Sequence, residues 1–127
     1  MTRINLVPPA ELHTKHLLAE YRELPRVFKL ARAWDLRGRA EPIPNKYTMG
    51  KGHVRFFYDK LIFCLNRQFT IYGECLSRGF NVQFDPEDSR SNFMSASVNL
   101  FNDYTPTPEA LELNRARILE RSPWLTR

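Results

Sequence analysis

Residues 17–28 read LLAEYRELPRVF. Set out at about 100° per residue on a helix, they separate into three faces. Leu17, Tyr21, Leu24 and Phe28 fall on one side, which predicts a core-facing stripe. Lys15, Arg22, Arg26 and Lys29 fall nearly opposite and form a continuous basic stripe. Glu23 and His16 share a third direction, on the border between the two. Pro25 sits within this pattern; it lacks an N–H and its ring collides with the preceding turn, so the helix must kink or split there.

Working outward, Pro8-Pro9 closes a short extended lead, residues 1–8. Proline suits the first helical position, which predicts a helix from near Pro9 towards Asp35. The loop LRGRAEPIPNKYTMGKG (36–52) is rich in turn formers. A second helix is expected from about His53 to Arg78, with Gly79 as its stop. Its apolar stripe comprises Phe57, Leu61, Cys64, Leu65, Ile71, Tyr72, Cys75 and Leu76. Residues 80–106 read as irregular with at most one short helical turn. Thr107-Pro108-Glu109 supplies a cap and first turn for a third helix reaching about Arg121. The expected fold is all-α: one compact domain, residues 1–127, of three main helices with long irregular connections.

Hydrophobic residues make up 43% and aromatics 13% of the 127 residues, enough for a real core and too short a chain for two ordinary domains. The formal charge of +5 points to an anionic partner, nucleic acid or an acidic membrane surface. The opening MTRINLVPPAEL has no apolar signal core, and no run approaches membrane-spanning length. No secretion signal, anchor or membrane span is therefore expected, and a cytoplasmic setting is. Cys64 and Cys75 fall in one helix roughly 16 Å apart, too far to bridge. Neither a CxxC pair nor an HxxxH spacing is present, so no metal site is expected.

Taken alone, Glu23 is an ion-pair partner for its arginine neighbours, or a carboxylate set beside bound phosphates to do chemistry. Four blocks bear on that choice: MTRINL (1–6), AEYRELPRVF (19–28), GHVRFFYDKL (52–61) and ECLSRGFN (74–81). Together, and in this order, they resemble the phage-type pyrimidine-dimer DNA glycosylase and abasic-site lyase family. Similarity is weak at about 31–48 and 82–103.

The resemblance implies a three-helix, all-α domain acting as a monomer on ultraviolet-damaged double-stranded DNA, with no metal or cofactor. It implies two linked activities: cleavage of the glycosyl bond of the 5′ pyrimidine in a cyclobutane dimer, then strand cleavage by β-elimination. The nucleophile would be the α-amine of Thr2, exposed once Met1 is removed. A free α-amine has a pKa of about 7.7–8 against about 10.4 for lysine, so a useful fraction is neutral near pH 7. The essential glutamate matches Glu23. Arg3, Arg22 and Arg26 match arginines that grip DNA at the lesion, and His16 a histidine lining the site. Arg117 matches an arginine near the abasic-site phosphates. Arg121 falls either where the family has lysine or, if RSPW sets the register, at a later arginine. Trp124 matches a tryptophan of the aromatic tail, but Leu125 stands where another aromatic is expected, and Lys15 replaces a polar uncharged residue. These departures touch lesion discrimination and leave Thr2 and Glu23 in place. The same chemistry on another lesion, such as an oxidised or ring-opened purine, and a non-catalytic basic DNA-binding module are the alternatives.

Overall fold

The computed structural model describes residues 3–83, 87–88, 91 and 96–122. Its main helices are α1 (Thr14–Glu23), α2 (Arg26–Leu36), α3 (Leu61–Ser77) and α4 (Pro108–Glu120). Short 3-10 turns occupy Pro9–Glu11, Arg55–Phe57 and Val98–Leu100. Among the described residues there is no strand. The all-α expectation of three main helices holds, with the first split in two.

Pro25 makes that split. Leu24 N–H still reaches Glu20 C=O at 2.8 Å, but Pro25 has no N–H to continue the ladder, and α2 begins at the next residue. The first helix also starts later than expected. Pro9–Glu11 makes only a 3-10 turn, and His13 then caps α1, its Nδ1 accepting from Lys15 N–H at 3.2 Å.

The second helix begins at Leu61, not near His53. Gly52 adopts φ +89° and Lys60 φ −129°, neither compatible with a continuous α-helix, so 53–60 is a run of turns around Arg55–Phe57. The predicted stop is correct. Gly79, at φ +82°, turns the chain so that Gly79 N–H bonds Leu76 C=O and Phe80 N–H bonds Cys75 C=O, both at 3.0 Å. For α4, Thr107 Oγ1 accepts from Ala110 N–H at 3.1 Å and Pro108 takes the first position.

Two apolar clusters meet across the molecule. The larger contains Leu24, Phe28, Trp34, Phe57, Leu61 and Cys64; the smaller contains Leu12, Leu17, Ile71 and Cys75. Most of the predicted stripes are buried, although Leu76 is half exposed and Leu65, Tyr21 and Tyr72 are half-buried. Both cysteines are free thiols.

The extended lead is the least ordinary part of the fold. Ile4, Asn5, Leu6 and Val7 are all buried, with Ile4 and Leu6 in the larger cluster and Val7 in the smaller. A chain end normally lies on the surface and frays. Here it runs through the core, next to the packed pair α1 and α3.

Candidate active site

A buried extended segment must find partners for its N–H and C=O groups. With no strand among the described residues, side chains supply them. Ile4 N–H donates to His53 Nε2 (2.9 Å) and Asn5 N–H to Glu20 Oε2 (3.3 Å). Leu6 N–H and Val7 N–H both donate to Asn114 Oδ1, at 2.6 and 3.1 Å. Tyr47 Oη donates to Ile4 C=O (3.1 Å), and Arg67 Nη1 to Val7 C=O.

The partners are themselves fixed. Arg67 on α3 holds Glu20 on α1 by two parallel bonds, Nε to Oε2 at 2.8 Å and Nη2 to Oε1 at 3.1 Å. With the Asn5 N–H already counted, Asn5 Nδ2 adds a fourth donor to Glu20, at 2.8 Å from Oε1. His53 Nδ1 faces Thr48 C=O at 2.8 Å; a carbonyl only accepts, so Nδ1 carries the proton and Nε2 is the acceptor Ile4 needs. Burial holds His53 below the usual histidine pKa, with the positive charges of Arg3 and Arg117 adding to the effect.

Where this segment emerges, a cleft of about 260 Å³ opens, lined by Arg3, Asn5, His16, Ala19, Glu20, Glu23 and Arg121. Glu23 is half-buried at the end of α1, one helical turn beyond Glu20. Its border position follows from the three faces of the helix. His16, two turns before Glu23, is half-buried and stapled to the end of α4. Its Nε2 lies 2.5 Å from Ser122 Oγ, which lies 2.6 Å from Ile118 C=O. The hydroxyl gives its hydrogen to the carbonyl and accepts from Nε2–H. Burial, then Arg3 and His13, push the His16 pKa down.

Arg3, Arg117 and Arg121 make one positive wall. Burial lowers the Arg3 pKa, and Arg121 and Arg117 lower it further, in that order. Arg121 is exposed at the C-terminal end of α4; Arg117 is half-buried, 3.5 Å from Glu120. Arg3 and Arg121 of this wall line the cleft together with the Glu23 carboxylate, an arrangement suited to an anion on one side and a developing cation on the other.

The cleft thus brings together Arg3, His16, Glu23 and Arg121 of the residues singled out in the sequence, with Arg117 acting electrostatically on Arg3. Arg22 and Arg26 are exposed and lie outside its lining, on a surface shared in sequence with Lys15 and Lys29. Thr2 and Trp124 lie outside the described residues. A larger cleft, about 490 Å³ and lined by Tyr47, Phe56, Tyr104 and Leu113 among others, holds none of these candidates. Among the described residues, no group of three His, Cys, Asp or Glu side chains comes together as a metal site. No helix among them is long and apolar enough to cross a membrane.

The polar residues beneath the cleft, Glu20, Arg67, Asn5 and Asn114, were not anticipated from the sequence. A signal existed. Glu20 falls three residues after Leu17 and four before Leu24, and Arg67 three after Cys64 and four before Ile71. Each therefore sits on an apolar stripe, and their charges are opposite.

Residues 1–88 match the family model described as pyrimidine dimer DNA glycosylase. The match takes in the buried lead, α1, α2 and α3, and ends before α4.

Proposed function

The chain belongs to the pyrimidine dimer DNA glycosylase family, and we propose that it opens the dimer's glycosyl bond with the α-amine of Thr2, then nicks the strand with Glu23 as base. Membership makes it a DNA repair glycosylase; the residue roles and the second step are proposed. The observation that carries it is the shared cleft. Glu23 lines it together with Arg3, the residue that follows Thr2 in the chain.

In the first step the neutral amine attacks C1′ of the damaged nucleotide while the bond from C1′ to the base breaks, the base leaving with the electron pair. Positive charge builds on the sugar, and the Glu23 carboxylate stabilises it. Loss of a proton from nitrogen and opening of the ring give a protonated imine. The iminium makes the C2′ hydrogens acidic. A carboxylate then removes one, and the C3′–O bond breaks with the phosphate as leaving group. Water releases the amine. Arg3, Arg117 and Arg121 hold phosphates flanking the sugar, which offsets their mutual repulsion. Arg22 and Arg26 extend the grip along the duplex, His16 orders the end of α4, and Trp124 is the aromatic candidate for contact with the dimer. The chain acts as a monomer and a single domain, residues 1–127.

Borohydride reduction on duplexes containing a dimer or an abasic site tests this, after mass measurement confirms loss of Met1. A covalent complex is expected with the free N-terminus and none when that amine is blocked; a complex surviving the block removes Thr2 from the chemistry. Glu23→Gln is expected to keep DNA binding and lose strand cleavage by at least about 10²-fold, the lower end for a lost acid–base group. Duplexes carrying other defined lesions establish which damage is preferred.

A further inference from the structure

Asn114 lies on α4, beyond the residues matched to the family, and is fully buried. Among the described residues, its side-chain hydrogen bonds all go to the N-terminal segment. Oδ1 receives Leu6 N–H and Val7 N–H, and Nδ2 donates to Asn5 Oδ1 at 2.8 Å. Two consecutive N–H groups of a straight strand point to opposite sides; a bend at Val7 lets them converge on one oxygen. A flipped amide would set its own N–H hydrogens against two donors, so this orientation is fixed by its surroundings.

From Asn114 the bonds continue through Asn5 to Glu20, and Glu20 sits one turn before Glu23 on the same helix. One path of short hydrogen bonds thus ties α4, the N-terminal segment and the helix bearing the carboxylate. We propose that Asn114 is a positioning residue, setting the distance between the N-terminal amine and Glu23 by fixing the register of the segment. The inference rests on the reading of Thr2 as nucleophile. A slip of one residue displaces an extended chain by about 3.3 Å and turns its side chains to the opposite face. An aliphatic residue would fill the same volume without this control, and a purely structural role predicts lost stability alone.

The test uses the full chain with Met1 removed, and an abasic duplex. Single-turnover borohydride trapping at saturating protein gives the rate of imine formation, and titration gives Kd. For Asn114→Leu the saturated trapping rate is expected to fall about 10- to 100-fold, the scale of an ångström-level misplacement. Kd is expected to stay within about threefold, because the side-chain hydrogen bonds of Asn114 go to Asn5, Leu6 and Val7 and to none of the DNA-facing arginines. Amide exchange at Leu6 and Val7 is expected to speed up in the same variant. Should Asn114→Leu fail to fold, Asn5→Ala cuts the same path from the side of the N-terminal segment and must show the same split. Unchanged trapping despite faster exchange overturns the proposal, as does a loss explained wholly by weaker binding. Wild-type protein that gives no trapped complex overturns the amine reading itself. Wild-type protein that traps alongside variants that trap equally fast overturns only the role of Asn114.

Discussion

Replacing Arg67 with Met would show how much of the fold depends on the ion pair beneath the cleft. The Arg67 and Glu20 side chains are 6% and 1% exposed, so both charges have left water. Arg67→Met fills a similar volume but strands the Glu20 carboxylate, with only the N–H and side-chain amide of Asn5 still donating, and deprives Val7 C=O of its donor. Breaking such a pair from one side costs about 3–5 kcal/mol, most of it the penalty of an uncompensated buried charge. With roughly 2.1 cal/mol/K of unfolding entropy per residue, 127 residues give about 0.27 kcal/mol/K, so Tm should fall by about 11–19 °C. Thermal and urea unfolding followed by circular dichroism at pH 7 measure this directly. The double variant Glu20→Gln/Arg67→Met removes both charges yet leaves a side-chain oxygen for Asn5; it should recover at least about 2 kcal/mol of the loss. An Arg67→Met cost below about 1 kcal/mol, or a double variant no better than the single, would refute the account of a buried charge held in place by its partner.

Gly52→Ala should cost about 1–3 kcal/mol in the same unfolding measurement, because φ is +89° and the new Cβ would lie 3.1 Å from Pro44 Cγ; a neutral result would show that the turn into His53 does not need this backbone. The two depressed histidines predict a pH dependence of definite sign. Above the unfolded value of about 6.5 their contribution is complete, and it is lost as pH falls from there towards the folded values, at up to about 1.4 kcal/mol per pH unit for each histidine. Urea unfolding at pH 7.5 and pH 5 reads the slope. His53→Gln should flatten it, and an unchanged slope would remove His53 as its source.

What the sequence disclosed and what it hid follow from the range of the forces involved. The split at Pro25, the stop at Gly79 and the cap at Thr107 each depend on one or two neighbouring residues, and each was legible. The helix start at Leu61 was not, because the apolar period runs smoothly through Phe57 while the backbone turns at Gly52 and Lys60. Of the candidate site, Glu23 and His16 could be placed on one helical border from spacing alone. That Arg3 and Arg121 join them depends on tertiary packing between chain ends, which no local pattern records. Burial of Lys, Arg, Asp and Glu is rare enough that Glu20 and Arg67 read as surface charges unless each is checked against its helix face.

An amine at the chain terminus is a difficult nucleophile to place, since termini are where backbone order is ordinarily weakest. Threading residues 4–7 through the core anchors the segment next to the terminus, but buries N–H groups for which the described residues offer no strand. Pairing with a strand would satisfy them through a repeating ladder, in which a slip of two residues restores the same pattern. Side chains behave differently. His53, Glu20 and Asn114 each stand at one place on a separate part of the fold, and together they accept all four N–H groups from Ile4 to Val7. No shifted register presents the same donors to the same acceptors, least of all the bent pair at Leu6 and Val7 that converges on one oxygen. The buried polar residues are therefore the means by which an all-helical protein gives residues 4–7 a single address. The catalytic reading of Thr2 supplies the reason for such a costly arrangement: an amine aimed at a sugar carbon tolerates little error, and uniqueness of register is what these side chains contribute.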